Sequence, residues 1–314
     1  MATPNLNEIH DTLIDLAYKA GDIINNALPD ISGPGSKKNS TRRDPIDIDT
    51  NKTRTTTNLL LPGADLVTEY DRAVETMIST SLKEKYPDYA FHGEETYTPT
   101  TPLTNAPTFI IDPIDGTVNF IHNFPHACVS LGFAIEKTPT VGVVYNPSTK
   151  TLYSAIKGQG AFKNRDQRLP LRNPEPLTGL SNALLAIEWG SDRSGPNWTV
   201  KTRTFEKLGA SKEDGGAMVR SFRSLGSAAL NICSVAEGVI DLYWEGGCWE
   251  WDVCAGWVIL NEAGGLVVDG NPGGWEDEVS LDGRRYLVVR GAEEKGQREI
   301  VEEFWGFIQG RLTY

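Results

Sequence analysis

Phe109-Ile110-Ile111-Asp112-Pro113-Ile114-Asp115-Gly116-Thr117 is the stretch from which the rest of the chain can be read. Three large apolar residues in a row form a short buried strand. The strand runs into two carboxylates, Asp112 and Asp115, that project beyond the sheet edge, with Pro113 fixing the backbone between them. Gly116 and Thr117 then offer bare backbone N–H groups where a helix begins, a natural seat for phosphate. Oxygen ligands without His or Cys suit a hard ion such as Mg²⁺. Asp-Pro and Asp-Gly are also common turn words. The chain carries its own control in Asp44-Pro45-Ile46-Asp47, which has no apolar strand before it and no Gly-Thr after it, and reads as a turn.

Downstream, strands are expected at 108–111, 127–136, 140–146 and 151–156, closely spaced and therefore antiparallel. Upstream, Leu6, Ile9, Leu13, Leu16, Ala20, Ile23, Ile24 and Ala27 keep helical spacing, so 6–28 reads as an amphipathic helix that Asn5 and Glu8 cap. A second helix is expected at 69–86, capped by Thr68. Between them, 30–63 loses all periodicity and reads as a long mobile loop. After the prolines at 174 and 176, strands (182–188, 239–244, 266–269, 286–290) alternate with helices (197–208, 226–237, 252–263, 292–309). The pattern is α/β: an N-terminal half, 1–174, and a C-terminal half, 175–314, meeting at a seam rather than forming independent domains.

The 314 residues are 39% hydrophobic and 23% charged, a globular composition. A net charge of −12 without a compensating Lys/Arg stripe argues against a nucleic-acid partner. It leaves an anionic substrate open, because divalent cations invert the field of an acidic site. Four cysteines with no CxxC pair fit reduced thiols in the cytoplasm. No apolar run is long enough to cross a membrane, and no secretory leader is evident at the N-terminus.

Further carboxylates stand at suggestive places. Glu94-Glu95 follow Gly93 and a short apolar pair, although such a pair is often merely solvated. Asp252 opens a helix and could be its N-cap. Asp71 reads locally as the third residue after the Thr68 cap. Glu245 lies seven residues before Asp252 in a Gly-rich loop.

Taken together, these words resemble the inositol monophosphatase family of lithium-sensitive, metal-dependent phosphatases. The resemblance rests on Ala64-Asp65-Leu66-Val67-Thr68 with Asp71, Gly93-Glu94-Glu95, and Asp112 through Phe120. It continues in Gly226-Ser227-Ala228, Glu245, Trp251-Asp252 and Glu262-Ala263-Gly264-Gly265. It implies a layered αβαβα sandwich, a homodimer and a small polyol phosphate substrate. Glu94, Asp112 and the Ile114 carbonyl would hold a first Mg²⁺. Asp112, Asp115 and Asp252 would hold a second, and Glu94 would help a third. Glu94 and Thr117 would orient a water, with Asp71 polarising the Thr117 hydroxyl and Glu95 just behind. Gly116 and Thr117 would grip the phosphate, while Asp115, Gly226, Ala228 and Glu245 would meet the alcohol's hydroxyls. Val118 departs from the second Thr of many relatives, and the loop before Ala64 is longer than the family norm. Rivals within this resemblance are bisphosphate nucleotidases, histidinol-phosphate phosphatases and sugar phosphatases. A different class is a regulator that binds a sugar phosphate without turnover.

Overall fold

The computed structural model describes residues 4–27, 62–172, 175–275 and 279–314, with the backbone alone for 62–68. The 30–63 stretch lies outside the described residues except for its last two positions, which open a helix.

The first half begins with α1 (Leu6–Ala27) and α2 (Pro62–Lys85). The Glu8 N–H donates to Asn5 Oδ1, which caps α1 as expected. Helix α2 starts seven residues earlier than the Thr68 cap implies. Pro62 is pre-set for the first helical position, where its missing N–H costs nothing. Thr68 is therefore interior to the helix, and the cap-based reading of Asp71 falls with it. Then come β1 (Ala90–Gly93), β2 (Thr108–Asp115), α3 (Thr117–Ile121), β3 (Cys128–Ile135), β4 (Thr138–Asn146), β5 (Thr151–Ile156), β6 (Gly160–Lys163) and β7 (Gln167–Arg168). These strands make one seven-stranded sheet in sequence order. β1 joins β2 in parallel, and every later pair is antiparallel.

The second half contributes β8 (Leu184–Ile187), α4 (Gly195–Gly209), β9 (Ser221–Arg223), α5 (Ala228–Glu237), β10 (Leu242–Gly246), α6 (Glu250–Glu262), β11 (Leu266–Asp269), β12 (Arg285–Val289) and α7 (Glu294–Phe307). Its sheet runs β11-β12-β10-β8-β9. The helix expected to begin at Gly116-Thr117 is α3; β1, β6, β7 and β9 were not anticipated, each being four residues or fewer, too short for a periodic signal.

Three apolar clusters explain the layers. Ile9, Leu13, Ala17 and Ile24 of α1 and Val74 and Ile78 of α2 cover one face of the first sheet through Phe109, Ile111, Leu131 and Val143. Ile110, Val144 and Ala155 point the other way, onto α5 and α6. The far side of the second sheet, including Leu185, Leu242 and Leu287, packs on Val200 and Leu208 of α4 and on Ile300 and Phe304 of α7. The result is α/β/α/β/α, with α5 and α6 as the shared central layer.

Helix α6 approaches the first sheet unusually closely. Gly132 and Gly142 face each other across β3 and β4. A Cβ on Gly142 would lie 2.2 Å from the Ala255 carbonyl oxygen, and one on Gly132 would lie 2.6 Å from Cys254 Sγ. This glycine pair makes the flat place on which the helix rests.

Candidate metal and phosphate site

In a regular strand, residues three apart face opposite ways. Asp112 pairs with Ser130 and Asp115 with Cys128, so three steps along β2 match two along β3. The extra residue is a bulge, which re-aims the strand end. Pro113 has no N–H to withdraw from the ladder there, and the Ile114 N–H donates to Asp112 Oδ1 at 2.9 Å. The bulge brings Asp112 and Asp115 to Asp252, and the three offer ligand oxygens within 4.8 Å of one another.

Other elements hold each carboxylate. Asp115 Oδ2 accepts from the Ser227 hydroxyl at 2.6 Å and the Ala229 N–H at 2.8 Å. Asp252 Oδ2 accepts the Trp249 N–H at 2.6 Å. Asp252 is thus the third residue of α6, capping through the backbone of Trp249, and not the N-cap itself.

Burial pushes Asp112 well above the usual carboxylate range, and the neighbouring charges of Glu94, Asp115 and Asp252 push it further. Burial likewise raises Asp252 strongly, followed by the charge of Asp115. Glu94 is pushed up to about 7 by burial, opposed by a hydrogen bond with Asp112. Asp115 rises to about 6 by burial, with the Ser227 hydrogen bond opposing. Converging buried oxygens that raise one another's pKa are a donor set suited to a hard cation.

Behind Glu94 lies a second acidic group. Asp71 is pushed up to about 8 by burial and then by Glu95, Glu94 and Glu75. Its Oδ1 has no hydrogen-bond partner among the described residues. The expected contact with Thr117 is absent: the Thr117 hydroxyl donates to the Ile114 carbonyl oxygen at 3.2 Å. Glu95 pairs with Arg72 at 3.3 Å, and its N–H donates to Glu75 Oε2 at 2.8 Å.

Gly116 has φ +89°, and a Cβ there would lie 2.8 Å from the His126 carbonyl oxygen. Only glycine fits this turn into α3. In front of it opens a cleft of about 540 Å³ lined by Asp115, Thr117, Gly226, Ala228, Glu245 and Asp252 among others. With Gly116 itself, seven expected residues from both halves therefore share one cavity. Glu245 belongs to β10, not to a loop, and accepts a hydrogen bond from the Tyr243 hydroxyl. Burial, followed by the charge of Glu188, pushes Glu245 up to about 8.

Glu188 also lines the cleft, and the sequence reading missed it. Its carboxylate accepts from Ser224 Oγ at 2.9 Å, Leu225 N–H at 2.7 Å, Gly226 N–H at 2.8 Å and Asn231 Nδ2 at 2.8 Å. The signal was present: Leu184-Leu185-Ala186-Ile187-Glu188 repeats the grammar of an apolar strand ending in a carboxylate.

Comparison with known proteins adds an independent line. The sequence model described as the inositol monophosphatase family matches residues 5–309. A Saccharomyces cerevisiae protein named inositol monophosphatase 2 is 50% identical over 257 residues, spanning 80% of this chain and 85% of that protein. The Emericella nidulans protein qutG is 39% identical, spanning 98% of this chain and 95% of its own length. The solved inositol monophosphatase from Anabaena superposes with TM-score 0.69 at 26% identity, covering 95% of this chain and 96% of that one.

Proposed function

The chain belongs to the inositol monophosphatase family, and from that premise we propose that it is a phosphoric monoester hydrolase that converts a myo-inositol monophosphate to inositol and phosphate with Mg²⁺. The observation that carries this reading is the bulge-made cluster of Asp112, Asp115 and Asp252 beside the bare N–H groups that open α3.

Glu94, Asp112, the Ile114 carbonyl, Asp115 and Asp252 would hold two to three Mg²⁺ ions. When bound, Mg²⁺ supplies positive charge against a phosphate dianion and makes water a better nucleophile. The chain's own groups do the rest. The Gly116 and Thr117 N–H groups hold the phosphate, and they need no reorganisation because the αL turn at Gly116 aims them in advance. Glu94 orients the attacking water, its carboxylate in hydrogen-bond contact with Asp112. Thr117 orients that water, and Asp71, raised by burial and by the charges of Glu95 and Glu94, is a close neighbour of Glu94. Asp115, Gly226, Ala228 and Glu245 line the wall that would meet the hydroxyls of the alcohol.

The test is phosphate release from inositol 1-phosphate while Mg²⁺ is titrated, beside a bisphosphate nucleotide, histidinol phosphate and a sugar phosphate. Mg²⁺-dependent turnover with inositol phosphate preferred supports the proposal. Preference for another ester reassigns the substrate, and binding without turnover makes the chain a regulator. The homodimer and cytoplasmic location belong to the same proposal, with light scattering and cell fractionation as their checks.

A further inference from the structure

β1 is the least supported of the strands that carry the site. It has four residues, stands at the edge of its sheet and pairs only with β2. Glu94 follows it directly, and one backbone bond ties it to the sheet, its N–H to the Ile111 carbonyl oxygen at 3.2 Å; among the described residues its own carbonyl oxygen accepts only the nearby Tyr97 N–H at 3.4 Å. Asp252 sits on α6, in another layer. The sheet alone does not set the distance between the two.

A buried pair crosses that gap. His92 Nε2 and Glu250 Oε1 lie 2.7 Å apart across 158 residues of chain. Their exposures are 7% and 4%. His92 stands two residues before Glu94, and Glu250 two before Asp252. The ring also packs against Trp251 at 5.6 Å and Tyr97 at 5.5 Å. On the opposite flank, Glu75 holds the Glu95 N–H and fills the space that a Cβ on Gly93 would need. Glu94 is thus bracketed, with His92 tied to α6 and Glu95 tied to α2.

Such a pair is not required for stability. Two apolar side chains of similar volume often serve stability as well or better, since burying the polar groups costs desolvation. A hydrogen bond, unlike an apolar contact, tolerates only a narrow range of distance. We propose that the His92–Glu250 hydrogen bond is a positioning tie that sets Glu94 against Asp252 and thereby tunes the affinity of the site for Mg²⁺. This rests on the reading above that Glu94 and Asp252 are ligands.

The experiment is Mg²⁺ binding by titration calorimetry, with thermal unfolding recorded for each protein. Wild type is compared with Glu250→Gln, which can still accept from His92, with Glu250→Asp, which falls a methylene short, and with the double variant His92→Leu/Glu250→Leu. Glu250→Gln is expected to bind like wild type. The Asp and double variants are expected to show a Kd about 10- to 100-fold weaker, the usual cost of losing a partner behind a metal ligand. A folded double variant with wild-type Kd overturns the inference, as does Glu250→Gln binding as weakly as the double variant. Where the double variant does not fold, wild-type Kd in Glu250→Asp overturns it equally. A wild-type protein that binds no Mg²⁺ overturns the metal reading itself, and this inference with it.

Discussion

Asp112 is only 2% exposed, yet the charges that bear on it are those of other carboxylates. A group so placed is suited to a cation beside it. Asp112→Asn keeps the shape and the Ile114 N–H contact but removes one charge. It is expected to abolish Mg²⁺-dependent turnover while leaving thermal unfolding without Mg²⁺ unchanged or higher; turnover within a few-fold of wild type at saturating Mg²⁺ would refute the assignment. Glu245 separates chemistry from substrate choice. Glu245→Gln is expected to cost a polyol phosphate about 1–3 kcal/mol of transition-state binding. An aryl phosphate, without neighbouring hydroxyls, is expected to lose much less. Equal losses in kcat/KM for both substrates would make Glu245 a support for the site or the fold. At this scale the sequence was legible where a carboxylate followed an apolar strand, as at Asp112. It was less so at Asp71, whose expected bond to Thr117 depends on side-chain directions that no spacing encodes.

The loop from Ser224 to Ser227 is the element that joins the two halves of the cleft. Glu188 binds it from the second sheet. Asn119 Nδ2 binds it from α3, donating to the Leu225 carbonyl oxygen at 2.6 Å and the His126 carbonyl oxygen at 2.7 Å. Ser227 then caps α5 and reaches Asp115. Glu188→Gln turns an acceptor of several N–H groups into one that presents its own N–H₂ to some of them. Its kcat/KM for inositol phosphate is expected to fall about 10- to 100-fold, on the scale of one or two charge-assisted bonds. Mg²⁺ affinity should stay near wild type, and a parallel loss of Mg²⁺ affinity would show that the loop supports the metal ligands instead. The long elements, α1, α5, α6 and β2 to β5, were readable from periodicity within a few residues. The bulge in β2 was not, because a one-residue slip exists only relative to the partner strand. Nor was the start of α2, where a cap-like Thr68 competed with Pro62 and the chain carried the helix through.

For the molecule as a whole, the raised carboxylates make stability depend on pH. Asp115 titrates at about 6, Glu94 at about 7, and Asp71 and Glu245 at about 8. Unfolded carboxylates titrate near 4. Between these limits the folded state holds protons that the unfolded chain has lost, so stability falls as pH rises. Without Mg²⁺ the Tm is expected to drop as pH rises from about 4 through about 8, and Asp112 and Asp252, raised in the same direction, add to the fall. Saturating Mg²⁺ should flatten the slope by binding the ionised form. A metal-free Tm that climbs over this range would show that the acids are compensated by something other than a cation. The layer order was legible because helix and strand periods alternate along the chain, while the mating of α6 to the first sheet was not. That mating also limits what this lineage can become. Every codon change at Gly142 that alters the residue adds a Cβ where the Ala255 carbonyl already lies, and a Cβ on its cross-strand partner Gly132 meets Cys254. α6 would have to lift, taking Asp252 with it. Neither glycine can drift alone, so variation among descendants of this protein should bypass both and accumulate elsewhere on the same two strands.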